Sequence, residues 1–258
     1  MQKIEILKTI ALRAGKMIEE GFYASKELHF KGTVDLVTQY DVAVEKFVLQ
    51  ELSQHFGDYT LVAEESHSGE YIYPKTIYID PIDGTTNFVH GIPHVALSMG
   101  IWEENEPTMG VVYNPILNEL FWAVRGEGAY LNGTRLSVST QSNLQQSLIA
   151  TGFPYAKVER GMEYHWVMDT MANLLPHIRD IRRLGAAALD LCYVAQGKFD
   201  GYYEMDLKPW DVGAGILILL EAKGEVLSIN KPYRIGEKVL IATNGMITQE
   251  LLSFLKES

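Results

Sequence analysis

Asp80 and Asp83 stand three residues apart in Asp80-Pro81-Ile82-Asp83, directly after the apolar run Thr76-Ile77-Tyr78-Ile79. Pro81 biases Asp80 towards extended backbone and interrupts a regular strand. The chain is therefore expected to turn there and to present both carboxylates at one rim. Gly84 permits a second turn, and Thr85-Thr86-Asn87 suit a helix start. Like charges this close raise each other's pKa unless something positive stands between them. Two more acid positions sit at element ends: Glu64-Glu65 after Leu61-Val62-Ala63, and Asp211 after Trp210. Oxygen ligands without His or Cys partners suit Mg²⁺, Mn²⁺ or Ca²⁺ rather than zinc. Amide N–H groups at a helix start suit a phosphate. Metal and phosphate side by side are the setting of phosphate-ester hydrolysis, often with two ions about 3.5–4 Å apart.

Each acid taken alone has a plainer reading as a turn former or helix cap. Glu65 and Glu70 fit a solvated surface. Glu64, Asp80, Asp83 and Asp211 together, each beside a turn or helix start, are much harder to explain that way. Arg125-Gly126-Glu127-Gly128 lacks the Lys and the following helix of a phosphate-binding loop, so it reads as a hairpin turn. The seven His residues show no ligand spacing. Lys and Arg number 22 against 33 Asp and Glu, a net charge of −11. Such a surface repels polyanions, which argues against nucleic acid as a partner. It spares a phosphorylated substrate only if bound cations invert the local sign.

At 258 residues the chain is long enough for a full core, as one large domain or two closely packed halves. No apolar run reaches the roughly 18 residues of a membrane helix, and the charged first segment is unlike a signal peptide. Cys192 is the only cysteine, so no intrachain disulfide is available and a reducing cytoplasm is expected. Its apolar setting, "ALDLCYVA", predicts a buried inert thiol.

The elements that must carry these acids follow from periodicity. Ile4, Leu7, Ile10, Ala11, Ala14, Met17, Ile18 and Phe22 lie at helical spacing, and a second helix is expected from Thr38 with Asp41 in its first turn. Residues 24–38 read as a polar loop or ribbon. Residues 59–65 and 76–83 read as strands, followed by four antiparallel strands over 95–104, 107–115, 118–126 and 128–137. Asn132-Gly133 is a hairpin signal. From Ser147 short strands and helices alternate, with helices expected over 164–175, 186–196 and 211–223. The halves are expected to be residues 1–143, carrying most of the metal ligands, and 144–258, completing the site.

With these residues in place, the chain resembles the inositol monophosphatase family of lithium-sensitive, magnesium-dependent phosphatases. The resemblance rests on Asp41, Glu64-Glu65, "DPIDGTTNFVHG" from Asp80, and Trp210-Asp211 followed by Ala214-Gly215, in order across nearly the whole chain. Ala63 departs from the Gly that many members carry before the paired Glu. The family implies an α/β sugar-phosphatase-like fold of alternating α-β-α-β-α layers, a homodimer, and two or three Mg²⁺ ions per site. It implies that Glu64, Asp80 and the carbonyl of Ile82 hold one ion, that Asp80, Asp83 and Asp211 hold a second, and that Glu64 reaches a third through water. Thr85, hydrogen-bonded to Asp41, would orient and deprotonate the attacking water, which agrees with a hydroxyl needing a carboxylate behind it. The amides of Gly84 and Thr85 would hold the phosphate, and a water on the second ion would protonate the leaving alkoxide. Asp83, Gly185, Ala187, Glu204 and Asp211 would meet the substrate hydroxyls.

The expected activity is hydrolysis of inositol monophosphate or a related small polyol or sugar phosphate. The same chemistry on fructose 1,6-bisphosphate, 3′-phosphoadenosine 5′-phosphate or the 2′-phosphate of NADP is the alternative. Arg179, Arg182 and Arg183 near the expected site keep a nucleotide open. A catalytically dead cation or metabolite sensor, or a dimerising scaffold, is the non-enzymatic alternative. Thr85 and Asp41 argue against it, because a bare cation site needs neither.

Overall fold

The computed structural model describes residues 2–30, 36–229 and 231–255. Helices Gln2–Tyr23 and Gln39–His55 form the first layer, where the sequence periodicity places them. Their apolar faces, led by Leu7, Ile10, Ile18, Val44, Val48 and Leu52, pack on a seven-stranded sheet. Its strands lie side by side in chain order: Thr60–Ala63, Lys75–Asp83, Ala96–Glu103, Glu106–Asn114, Glu119–Val124, Gly128–Leu131 and Thr134–Arg135. The first pair is parallel and the rest antiparallel.

Both faces of the central strands are covered, so Lys75–Asp83 and Ala96–Glu103 are buried almost throughout rather than alternating. Ile77 and Ile79 face the first helices, whereas Tyr78 between them faces a middle layer built from Ala187–Ala195 and Gly215–Glu221. Beyond that layer lies a six-stranded mixed sheet in the order Asp180–Arg182, Leu148–Thr151, Gly201–Met205, Val239–Thr243, Glu225–Ser228, Lys231–Pro232. Met162–Leu174 and Thr248–Leu252 close its far side over Ile149, Tyr203 and Ile241. The result is the α-β-α-β-α layering expected. Among the described residues no helix is long and apolar enough to cross a membrane.

Cys192 is fully buried in the middle layer, and burial pushes its thiol pKa well up, the inert state expected. Asn132 and Gly133 both take positive φ, 48° and 83°, as a primed hairpin turn requires. The 125–128 segment is the hairpin turn expected, pinned by the Glu221 carboxylate accepting from the amides of Gly126 and Gly128. Residues 24–38 form a short ribbon, Leu28–Phe30 against Leu36–Thr38; residues 31–35 of that expected segment lie outside the described residues.

Two expectations need correction. The helix expected over 211–223 is two pieces, Pro209–Val212 and Gly215–Glu221. The break has a packing cause. A Cβ on Gly100 would lie 2.3 Å from the carbonyl carbon of Gly213, and Trp102 Nε1 donates to the Gly213 carbonyl at 2.8 Å. That oxygen serves the sheet instead of the helix ladder. The chain also does not leave the sheet at Pro81. Pairing runs to Asp80↔Ser98, skips, and resumes at Asp83↔Ala96, so Pro81 sits in a bulge where its missing N–H costs no ladder bond.

The Gly100 contact yields a stability prediction. Gly100→Ala must push the Gly213 turn off the sheet and should cost about 1–3 kcal/mol in urea unfolding. Gly57→Ala, whose Cβ would meet nothing nearer than 3.9 Å, should stay within about 0.5 kcal/mol. Equal effects at the two positions would mean that this close approach is not what seats the turn.

Candidate active site

One cleft between the first sheet and the middle layer is lined by Glu64, Asp80, Ile82, Asp83, Gly84, Thr85, Gly185, Ala187, Glu204 and Asp211. Asp41 stands directly behind Thr85. The bulge turns both carboxylates of the acid strand to one side: Asp80 is 2% exposed and Asp83 8%. The Asp80 side chain accepts from the Ile82 amide at 3.0 Å. Asp83 Oδ2 accepts from the Ala188 amide at 2.7 Å, which ties the strand to the first turn of the helix Ala187–Ala195. Asp211 Oδ2 accepts from the Lys208 amide at 2.7 Å within its own short helix. Glu64 follows the strand Thr60–Ala63, its amide held by the Ile79 carbonyl at 3.1 Å. Backbone amides thus aim three of the four acids.

Burial is the largest influence on these groups. It pushes Asp80 and Asp211 well above the ordinary carboxylate range, with repulsion from Glu64 and the neighbouring aspartates adding to it. Asp83 is pushed up to about 8 by burial, against the opposing pull of the Ala188 amide. Glu204 is pushed up to about 7 by burial, although Tyr202 donates its hydroxyl to it. Glu64 beside Asp80 adds to the rise of Asp80, since each carboxyl disfavours the charge of the other. Among the described residues no three acid, imidazole or thiol side chains form a closed metal cage; the acids stand around the cleft wall.

Gly84 takes φ 89°, and a Cβ there would lie 2.9 Å from the His94 carbonyl and 3.2 Å from that of Gly185. Only glycine fits between the two halves of the site at that point. The helix Thr85–His90 starts immediately after it. Thr85 Oγ1 lies 3.2 Å from Asp41 Oδ1 and 3.2 Å from the Ile82 carbonyl, so its single proton has two acceptors. Asp41 is also the N3 residue of a capping box: Oδ2 accepts from the Thr38 amide at 2.8 Å and from its hydroxyl at 2.5 Å. One oxygen serves the helix cap and the other faces Thr85.

Three residues beside the site were not singled out from sequence. Glu45, 3% exposed, accepts from the Glu65 amide at 2.7 Å and fixes the backbone next to Glu64. Its position one turn after Asp41, on the face of Val44 and Val48, was the available signal. Phe153 and Lys157 line the cleft, the first just after the strand Leu148–Thr151 and the second in the short 3-10 helix Tyr155–Val158, where no local motif marks them. Of the three arginines noted, Arg183 lines the cleft, whereas Arg182 is exposed and paired with Asp180 at 2.6 Å.

The family model for the inositol monophosphatase family matches residues 2–257. The chain is 42% identical over 247 residues to the Nus factor SuhB of Pasteurella multocida, covering 94% of this chain and 91% of that protein. It is 39% identical over 267 aligned positions to inositol monophosphatase 3 of Solanum lycopersicum, covering 99% and 97%. The crystal structure of the extragenic suppressor protein suhB from Bartonella henselae superposes with a TM-score of 0.92 at 36% identity, covering 100% of both chains. A match of this extent, together with the acids, the Gly84-Thr85 turn and the layered fold, makes this chain a member of the inositol monophosphatase family of phosphatases.

Proposed function

We propose that this chain hydrolyses the monophosphate ester of inositol or of a related small polyol or sugar, using Mg²⁺ with two or three ions per site. The observation that carries the reading is the Thr85–Asp41 hydrogen bond at the rim of a cleft lined by five acids. A cation sensor would need the acids but not the dyad. The donor set fits the ions by its chemistry: hard oxygens, with no imidazole or thiol lining the cleft among the described residues, and buried carboxyls that burial and mutual repulsion hold protonated until a cation replaces the proton. A homodimer, a cytoplasmic location and inhibition by lithium are further expectations of this reading.

Glu64, Asp80 and the Ile82 carbonyl would hold one ion; Asp80, Asp83 and Asp211 would hold the second, and Glu64 would reach a third through water. When bound, the ions neutralise the phosphate and lower the pKa of the attacking water. Thr85 donates its proton to Asp41 Oδ1, which leaves its own lone pairs to accept a hydrogen bond from that water. As the water proton passes to Thr85 Oγ1, the threonine proton passes to Asp41. Burial raises the Asp41 pKa despite the opposing Thr38 and Thr85 hydrogen bonds, which makes it a better proton acceptor than a solvated aspartate. The Gly84 and Thr85 amides would hold the phosphate. Glu204, Asp83 and Asp211 would accept substrate hydroxyls, with Gly185 and Ala187 small enough to let the ring approach.

EDTA should abolish phosphate release from inositol 1-phosphate, and Mg²⁺ should restore it; turnover in chelator sinks the reading. The pH dependence of stability follows from the raised acids. The unfolded chain releases these protons near pH ~4, while folded Asp83 and Glu204 keep theirs to about 8 and about 7. Stability of the metal-free protein is therefore full at low pH and falls as pH rises through that window. The urea midpoint in EDTA should drop between pH 5 and 8.5, and saturating Mg²⁺ should flatten the curve. A flat profile without metal would mean that the acids are not held protonated.

Thr85→Ala and Asp41→Asn should each lower kcat by about 10²–10⁴-fold, and the double variant should be little worse than either. Asp41→Asn should also lose about 1 kcal/mol through the capping box, whereas Thr85→Ala should not share that loss. Rate losses that multiply in the double variant would show two independent roles rather than one relay.

A further inference from the structure

Behind the cleft, two buried polar atoms face each other. His94 Nε2 and Asp190 Oδ1 are 3.6 Å apart, just beyond hydrogen-bond length, and the residues are 7% and 1% exposed. Among the described residues neither atom has a hydrogen-bond partner, and both are closed off from solvent. With no proton between them, an imidazole lone pair and a carboxyl lone pair would oppose each other in the interior. One proton on that line satisfies both atoms at once.

The pair joins two segments on which the site depends. The His94 carbonyl lies against Gly84, where a Cβ would come within 2.9 Å of it, and it accepts from Asn87 Nδ2 at 2.9 Å. Asp190 is in the first turn of the helix Ala187–Ala195, two residues after Ala188. As the second residue of that helix, Ala188 has an amide with no partner in the helix ladder, and it donates to Asp83 instead. The backbone of His94 therefore borders the Gly84 turn, while its side chain reaches the helix that aims Asp83. Tyr193 packs its ring 5.4 Å from the imidazole and gives its hydroxyl to Glu119, which Lys198 pairs at 3.0 Å. From the cleft side, Arg183 attracts the Asp190 carboxylate, while Asp83 and Glu204 are repelled by it. Burial outweighs these charges: it pushes Asp190 well above the carboxylate range and lowers His94 to about 4.

We propose that Asp190 and His94 form an uncharged clasp, Asp190 donating one shared proton to His94 Nε2, which seats the helix Ala187–Ala195 against the Gly84 turn and so aims the Ala188 amide at Asp83. Neither residue lines the cleft, so both are positioning residues. Keeping Asp190 uncharged also spares Asp83 and Glu204 a further negative neighbour. The effect on turnover rests on the phosphatase reading above; the clasp itself does not.

Three measurements on the full chain test it. In the metal-free wild type, the imidazole nitrogen spectrum at about pH 7 should show His94 Nε2 as an acceptor with no proton of its own; a protonated Nε2 overturns the clasp. Asp190→Ala should speed hydrogen exchange at the Ala188 amide by about 10–100-fold, while amides in the helix Gln39–His55 change far less. It should also raise the Mg²⁺ concentration for half-maximal turnover of inositol 1-phosphate by about tenfold, as loss of support behind a ligand does. Asp190→Asn, whose amide can donate to the same nitrogen, should keep both quantities within about threefold of wild type. His94→Phe should match Asp190→Ala, and carries the comparison if that variant does not fold. Exchange that is unchanged at Ala188, or that rises equally in all helices, overturns the clasp, and so does an Asp190→Asn variant as impaired as Asp190→Ala. If the wild type releases no phosphate in Mg²⁺, the phosphatase reading falls, and the imidazole spectrum and the Ala188 exchange still decide the clasp.

Discussion

The hydrogen bond from the Ala188 amide to Asp83 Oδ2, 2.7 Å long, joins residues 105 apart in sequence and closes the site. It does so against the grain of electrostatics. Asp83, Asp80 and Asp211 are all buried and all acidic, and burial first and repulsion from neighbouring carboxylates second make each harder to ionise. Side-chain attraction cannot assemble such a group. Backbone amides do it: Ile82 for Asp80, Ala188 for Asp83, Lys208 for Asp211. Each carboxylate is thereby fixed by one oxygen.

The layered fold supplies the rigidity that this arrangement needs. Gly100 and Gly110 lie in adjacent strands, and a Cβ on either would strike Gly213 or Ala214. The turn after Asp211 therefore rests directly on sheet backbone, and Trp102 adds a hydrogen bond to the same turn. Asn87 ties the helix Thr85–His90 to the segment before the helix Ala187–Ala195, donating to the carbonyls of His94 and Leu184. The floor of the cleft is thus bounded by backbone rather than by long side chains, and backbone does not relax away from like charges.

Local signals were legible where the physics is local. Helix periodicity, the Asn132-Gly133 turn, the strand endings at Glu64 and Asp83, and the small residues at 84 and 185 each follow from neighbours in sequence. What stayed hidden depends on distant contacts. The interruption at Gly213 is dictated by Gly100, more than a hundred residues earlier, so the apolar run 214–222 looks like one helix with Asp211. Glu45 lies on the apolar face of its helix, a local signal, but its partner, the Glu65 amide, is visible only in the fold. Arg179, Arg182 and Arg183 cannot be told apart in sequence, because strand geometry decides which faces the cleft.

Asp41 shows why the two readings of a functional acid need not compete. A capping box requires one carboxylate oxygen at the start of Gln39–His55; the hydrogen bond from Thr85 takes the other. Because Thr38 gives two hydrogen bonds to Oδ2, the carboxylate cannot rotate away, and Oδ1 stays on Thr85 without any further device. The Thr38 bonds favour the ionised form and burial favours the protonated one, and burial prevails. Helix initiation thus sets the position and the basicity of the acid behind Thr85.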